Sequence, residues 1–202
     1  MLKGKYRMPQ TLDMPDAEVL FYADFFSIEE SKSYFEILHK TIEWQQSEVN
    51  MFGKSIKVPR LTAWYGDEGN SYSYSGITHH PHTWTAKLQA IKTKVESVAD
   101  ITFNSVLLNL YRDGADSVGW HSDDEPELGE NPVIASLSFG DTRQFQFKHK
   151  DDDSKRLSID LTPGSLLLMC GATQHHWKHR IPKTKKEKSP RMNLTFRVIS
   201  KP

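Results

Sequence analysis

Cysteine is almost missing from this chain. Its one copy in 202 residues, Cys170, excludes an internal disulfide and a cysteine-rich zinc site. Any metal therefore needs nitrogen and oxygen donors. No stretch approaches the roughly 20 consecutive apolar residues of a membrane span, and "MLKGKYRMPQ" lacks the apolar core of a signal peptide. The expectation is a protein that stays where it is made, cytoplasmic if bacterial and nuclear if eukaryotic, with no membrane partner. Internal repeats and low-complexity tracts are also missing. The length suits one well-cored unit with appended elements, expected to act as a monomer.

An excess of either charge is missing too, since 26 Lys and Arg balance 26 Asp and Glu. The balance hides an asymmetry. Seven acidic residues and no Lys or Arg lie between Asp113 and Glu130, whereas nine Lys or Arg face the single acid Glu187 between Lys178 and Lys201. Each run alone is accounted for by a solvated surface. Together they suggest an acidic pocket rim beside a ridge that faces a polyanion.

The first 24 residues carry Pro9 and Pro15 and read as an arm or edge element. Ser27-Ile28-Glu29-Glu30 is a capping box, which predicts a helix running to about Gln45. Trp84, Leu88, Ile91, Val95 and Val98 recur at steps of four and three and predict a second helix. Between the helices, 52–59, 61–65 and 71–75 read as short strands. From residue 102 onward, 103–112, 133–139, 143–149, 156–161, 165–170 and 192–199 read as strands with tight turns between them. Many short strands without helical crossovers predict a mainly β fold with flanking helices, a barrel or jelly roll.

"SVGWHSDDE" sets His121 beside Asp123, Asp124 and Glu125. Positions two apart on an extended segment point the same way, so His121 and Asp123 can meet one ion. Two histidines and one carboxylate with open positions opposite suit ferrous iron that activates oxygen. The third donor has several candidates: His149, His175, His176 and His179, plus His79, His80 and His82 upstream. His179 stands out, because it ends a strand-like run between Trp177 and Ile181-Pro182.

"RMNLTFRV" puts Arg191, Asn193, Thr195 and Arg197 on one face and Met192, Leu194, Phe196 and Val198 on the other. Such a strand suits a container wall that binds an anion inside. The two arginines are about 20 Å apart along the strand, too far for one carboxylate. Leaning inward, they can hold the two ends of a short dicarboxylate. Asn109 and Tyr111 in "NLYRDG" share a face and add neutral donors.

In their order, "NLYRDG", "HSDDE", His179 and "RMNLTFR" resemble the AlkB-type 2-oxoglutarate- and Fe(II)-dependent dioxygenases, most closely the duplex-DNA-acting animal branch. The likeness covers roughly residues 51–200. It implies a double-stranded β-helix with a nucleotide-recognition lid, divided as an arm and helix at 1–50, a lid and supporting helix at 51–101 and a catalytic core at 102–202. It implies iron ligation by His121, Asp123 and His179. It also implies 2-oxoglutarate binding by Asn109, Tyr111, Arg191, Thr195 and Arg197, with Asn193 supporting that wall. The cofactors implied are Fe(II), 2-oxoglutarate and O2.

The resemblance further implies oxidative removal of methyl groups from 1-methyladenine and 3-methylcytosine in DNA, releasing formaldehyde, succinate and CO2. The target base must leave the stack to be reached. Tyr72, Tyr74 and Ser75 would wall the flipped base, and Asp124 and Glu125 suit its positive charge. Phe52, within Phe52-Gly53-Lys54, would fill the gap in the duplex. Arg60, Lys183, Lys185 and Lys186, with Lys188, would meet phosphates. Three readings compete with duplex repair: demethylation of RNA or single strands, a nucleic-acid-binding module without catalysis, and a protein hydroxylase.

Overall fold

The computed structural model describes residues 8–51, 54–69, 72–74 and 77–200, with the backbone alone at 49–51, 54, 72–74 and 77–79. In chain order the elements are β1 (Gln10–Thr11), β2 (Glu18–Tyr22), α1 (Ile28–Thr41), β3 (Glu48–Met51), β4 (Lys54–Lys57), β5 (Leu61–Gly66), β6 (Tyr72–Tyr74), β7 (Ile77–His79), α2 (Ala86–Ala99), β8 (Ser105–Tyr111), β9 (Val118–His121), β10 (Ile134–Gly140), β11 (Arg143–His149), β12 (Arg156–Leu161), β13 (Leu166–Cys170), α3 (Thr173–His176), β14 (Trp177–Ile181) and β15 (Arg191–Arg197).

The capping box is formed. Ser27 Oγ accepts from the Glu30 amide at 3.2 Å, and Glu30 returns a carboxylate to the Ser27 amide at 2.8 Å. α1 stops at Thr41 rather than near Gln45, because Gln45 exchanges two 2.9 Å backbone hydrogen bonds with Thr62. Thr85 caps α2. Trp84 therefore lies outside that helix and stacks on Phe196 at 6.4 Å between ring centroids.

Two antiparallel sheets make the body. One has seven strands in the order β1-β2-β13-β10-β15-β8-β5, and the other four in the order β12-β11-β14-β9. This is the mainly β, jelly-roll architecture that the short strands predicted. Alternation decides what lies between the sheets: Phe145, Phe147 and His149 of β11 are buried while Gln144 is exposed. β15 divides as its sequence predicts. Met192, Leu194 and Phe196 join the core shared with Leu38 of α1 and Leu88, Ile91 and Val95 of α2. Each such fully buried side chain contributes on the order of 1.5–3 kcal/mol. The opposite face of β15 is left to line the interior.

The N-terminal segment differs from an arm. β2 pairs with β13 from Tyr22↔Leu166 to Glu18↔Cys170, and Leu12, Met14 and Val19 are buried. Pro9 and Pro15 flank the two strands without interrupting either. β14 is the strand-like run expected around His179, and it alternates buried and half-buried residues from Trp177 to Ile181, whereas β9 has only four residues and no alternation to mark it. β3 and β4 form a hairpin with Met51 opposite Lys54, and β6 pairs with β7. Phe52, Gly53 and Ser75 lie outside the described residues, as do the side chains of Lys54, Tyr72 and Tyr74.

Candidate metal centre and anion pocket

β9 and β14 lie side by side with His121 opposite His179. The ring centroids are 4.3 Å apart. Asp123 follows the end of β9, and its Oδ2 is 3.8 Å from His179 Nε2. Donor atoms of all three residues lie within 4.8 Å of one another. His121 Nδ1 is 2.9 Å from the Gly119 carbonyl, which can only accept, so the ring proton belongs on Nδ1 and Nε2 offers its lone pair. His179 is stacked on Phe145 at 5.2 Å, which fixes its plane. Of the candidate third histidines, His179 alone joins His121 and Asp123 in a donor cluster among the described residues.

Burial pushes the Asp123 carboxyl up, but the charges of Arg197, His179 and His121 and the Arg197 hydrogen bond outweigh it and leave the group below the ordinary aspartate value. Arg197 Nη2 donates to Asp123 Oδ1. The Asp123 amide donates to the buried Oε1 of Gln174 on α3 at 2.9 Å. Gln174 ties the loop after β9 to the turn before β14, and a lone glutamine gives no signal in a sequence. Burial first, and then the charge of His121, push the His179 pKa down to about 3, so its ring is neutral and able to ligate at physiological pH.

That depression carries a stability prediction. In the unfolded chain His179 takes its proton near the ordinary 6.5. Between there and about 3 the unfolded state binds more protons, so the stabilisation is full above about 6.5 and is lost as pH falls. One proton corresponds to about 1.4 kcal/mol per pH unit. Metal-free protein is expected to lose a few kcal/mol on acidification to pH 4, and His179→Gln to show a flatter loss; thermal melts across that range check it.

Deeper in, Arg191 is 1% exposed and lies over Tyr111 at 5.2 Å. Its Nη2 donates to Ser138 Oγ at 2.8 Å, while Nε and Nη1 find no hydrogen-bond partner among the described residues. Arg197 Nε is likewise buried and unpartnered. Burial lowers the Arg191 pKa to about 10, which leaves it cationic at neutral pH. Asn193 donates to Ser136 Oγ at 2.8 Å, and Thr195 donates to Asn193 Oδ1 at 2.8 Å. Across the β15–β8 register Arg191 faces Tyr111 and Asn193 faces Asn109. Buried cationic donors at one end of β15, with Arg197 of the other end on the Asp123 carboxylate, fit an anion that reaches from Arg191 toward a bound metal.

A model of the 2OG-Fe(II) oxygenase superfamily matches residues 18–197. The chain belongs to that superfamily. Over 192 residues it is 44% identical to mouse "Alpha-ketoglutarate-dependent dioxygenase alkB homolog 3", covering 91% of this chain and 66% of that protein. Over 188 residues it is 43% identical to human "DNA oxidative demethylase ALKBH2", covering 88% and 72%. It thus spans just under two thirds of the mouse relative's length. The solved structure of OsALKBH1 matches with a TM-score of 0.68 at 17% identity, covering 94% of this chain and 99% of that one, a likeness of fold. Nearly equal identity to the two curated relatives does not choose between them. Superfamily membership brings Fe(II), 2-oxoglutarate and O2 as cofactors, and the donor set described above fits the first two.

The remaining expected site residues divide. Asp124 pairs with Lys150 at 3.0 Å, and Glu125 Oε2 is buried without a hydrogen-bond partner among the described residues. Lys183, Lys185 and Lys186 are exposed between β14 and β15, while Lys188 pairs with Asp141 at 3.4 Å. Arg60, expected at a phosphate, is drawn inward. Its Nε donates to Asn109 Oδ1 at 2.7 Å and its Nη1 to the Ser117 carbonyl at 3.2 Å. These two bonds tie half-buried Arg60 to β8 and to the segment just before β9. His80 and His82 join no donor cluster among the described residues, His82 packs on Tyr65 at 5.1 Å, and the His79 side chain lies outside the described residues.

Proposed function

We propose that this chain is an oxidative demethylase of alkylated bases, 1-methyladenine and 3-methylcytosine, in duplex DNA. The observation that carries the reading is the meeting of His121, Asp123 and His179, with Arg197 at one end of β15 on the Asp123 carboxylate and the unpartnered donors of Arg191 at the other end. His121 Nε2, Asp123 and His179 would hold Fe(II). Arg191 would grip one carboxylate of 2-oxoglutarate with Nε and Nη1, aided by Asn109, Tyr111, Asn193 and Thr195, and Arg197 would meet the end nearer the metal. The chemistry supplied by Fe(II), 2-oxoglutarate and O2 is oxidative: the cosubstrate yields succinate and CO2, and the N-methyl group gains an oxygen atom and leaves as formaldehyde.

The protein's own share is binding, orientation and shielding. Gln174 fixes the Asp123 backbone, and Gly119 fixes the His121 tautomer. The orphan Glu125 carboxylate oxygen offers an acceptor to a cationic base, with Asp124 beside it. Tyr72, Tyr74 and Ser75 would wall that base. Lys54 and the exposed Lys183, Lys185 and Lys186 would meet phosphates, contributing salt-dependent affinity without sequence preference.

The test is formaldehyde release from matched single- and double-stranded oligonucleotides carrying either lesion. Duplex turnover is expected. Phe52→Ala, with Gly53 and Lys54 kept, is expected to lower duplex turnover about tenfold or more, since an aromatic stacked among bases is worth about 1–3 kcal/mol. Single-strand turnover should stay near the parent's. Equal duplex activity of the parent and Phe52→Ala would overturn the duplex reading while leaving the demethylase reading intact.

A further inference from the structure

A second group of donors lies where β11, the next strand over from β14 in the four-stranded sheet, meets α3 and the turn between β1 and β2. His149 ends β11 and is paired in register with Trp177, whereas Phe147 is paired with His179. His149 is 6% exposed, and its Nε2 has no hydrogen-bond partner among the described residues. That nitrogen is 3.6 Å from Asp16 Oδ2. The His176 ring is stacked beside it, with centroids 5.9 Å apart at 20°. Donor atoms of Asp16, His149 and His176 lie within 4.8 Å of one another, the same bound that the first cluster meets.

We propose that Asp16, His149 and His176 form a second, structural metal site for one Zn(II)-like ion, clamping the β1–β2 hairpin to the four-stranded sheet. The spacing carries the argument. A hydrogen bond from imidazole to carboxylate closes to about 2.7–2.9 Å. Two ligands about 2.0–2.2 Å from a tetrahedral ion stand about 3.3–3.5 Å apart, close to what is seen here. Two imidazole nitrogens and one carboxylate oxygen suit Zn(II), with a water completing the set.

The surroundings hold all three in place. Trp177 Nε1 donates to the Pro15 carbonyl at 2.8 Å, which anchors the residue before Asp16. Asp16 itself is in the left-handed region at φ 57°, so its direction is imposed by the turn. The Lys150 amide donates to the His176 carbonyl at 2.7 Å and binds α3 to the end of β11. The Asp151 amide donates to His149 Nδ1 at 3.2 Å, so Nε2 is the ring nitrogen that faces Asp16. Ligation through Nε2 requires the tautomer with the proton on Nδ1, in which the Asp151 amide no longer donates to the ring. Lys150, next to His149 in the chain, is paired with Asp124 at 3.0 Å rather than with Asp16.

Calorimetric titration with Zn(II) alone tests this without reference to turnover. His121→Ala weakens the first centre and isolates the second. The parent is expected to bind two equivalents and His121→Ala one, and Zn(II) is expected to raise the melting temperature of His121→Ala. Adding His176→Ala or Asp16→Asn should weaken the remaining binding about tenfold or more and remove the rise in melting temperature. Both residues are partly exposed, so these variants spare the core that His149→Ala would disturb. Absence of Zn(II) binding in His121→Ala, or binding unchanged by both added substitutions, overturns the proposal. Neither result bears on the demethylase reading.

Discussion

Asp123→Asn is expected to abolish turnover and to weaken Fe(II) binding about 100-fold or more. Outer-shell partners of metal ligands already cost about 10–100-fold when removed, and a charged ligand carries more. Asparagine keeps the shape of the side chain but neither the charge nor the second lone-pair-rich oxygen. The carboxylate is 3% exposed and also accepts from Arg197. Its removal leaves that guanidinium beside a neutral amide. Breaking a buried pair outright costs about 3–5 kcal/mol, and here the cost should be smaller because the amide oxygen still accepts. Anaerobic titration with Fe(II), succinate formation and a thermal melt separate the two effects. A folded Asp123→Asn protein with parental Fe(II) affinity would sink the assignment.

The wall of the pocket was legible in the sequence because a strand repeats every two residues. Arg191, Asn193 and Thr195 fall on one face of β15 and Met192, Leu194 and Phe196 on the other, as alternation demands. His121 and Asp123 were legible as a pair, but the identity of the third donor depended on which strand lies beside β9. Register is a tertiary fact, and nothing local in "WKHRI" states it. Gln174 and Ser138 were not legible at all, since a glutamine or serine says nothing of its partner until the chain folds. Arg60 was named only through the resemblance, and its hydrogen bonds to Asn109 Oδ1 and the Ser117 carbonyl are tertiary contacts that no local pattern states. β2 was hidden because Pro9 and Pro15 break up the segment ahead of it, although neither falls within a strand.

Arg191→Met is expected to separate stability from function. In the metal-free protein the guanidinium is buried with two of its nitrogens unpartnered, and its pKa is lowered to about 10 by that burial. Methionine fills similar volume without the desolvation cost, so the melting temperature should hold or rise. Binding of 2-oxoglutarate should suffer instead. A charge-assisted hydrogen bond contributes about 1.5–3 kcal/mol, so losing two raises KM for 2-oxoglutarate on the order of 100-fold or more. The rise in melting temperature that 2-oxoglutarate produces in the parent should disappear with it. kcat at saturating 2-oxoglutarate should fall far less, because in the proposed mechanism Arg191 would grip the end of the cosubstrate away from the His-Asp-His cluster. A variant with an unchanged KM and a melting temperature many degrees lower would make Arg191 a packing residue and remove the anion pocket from the proposed mechanism.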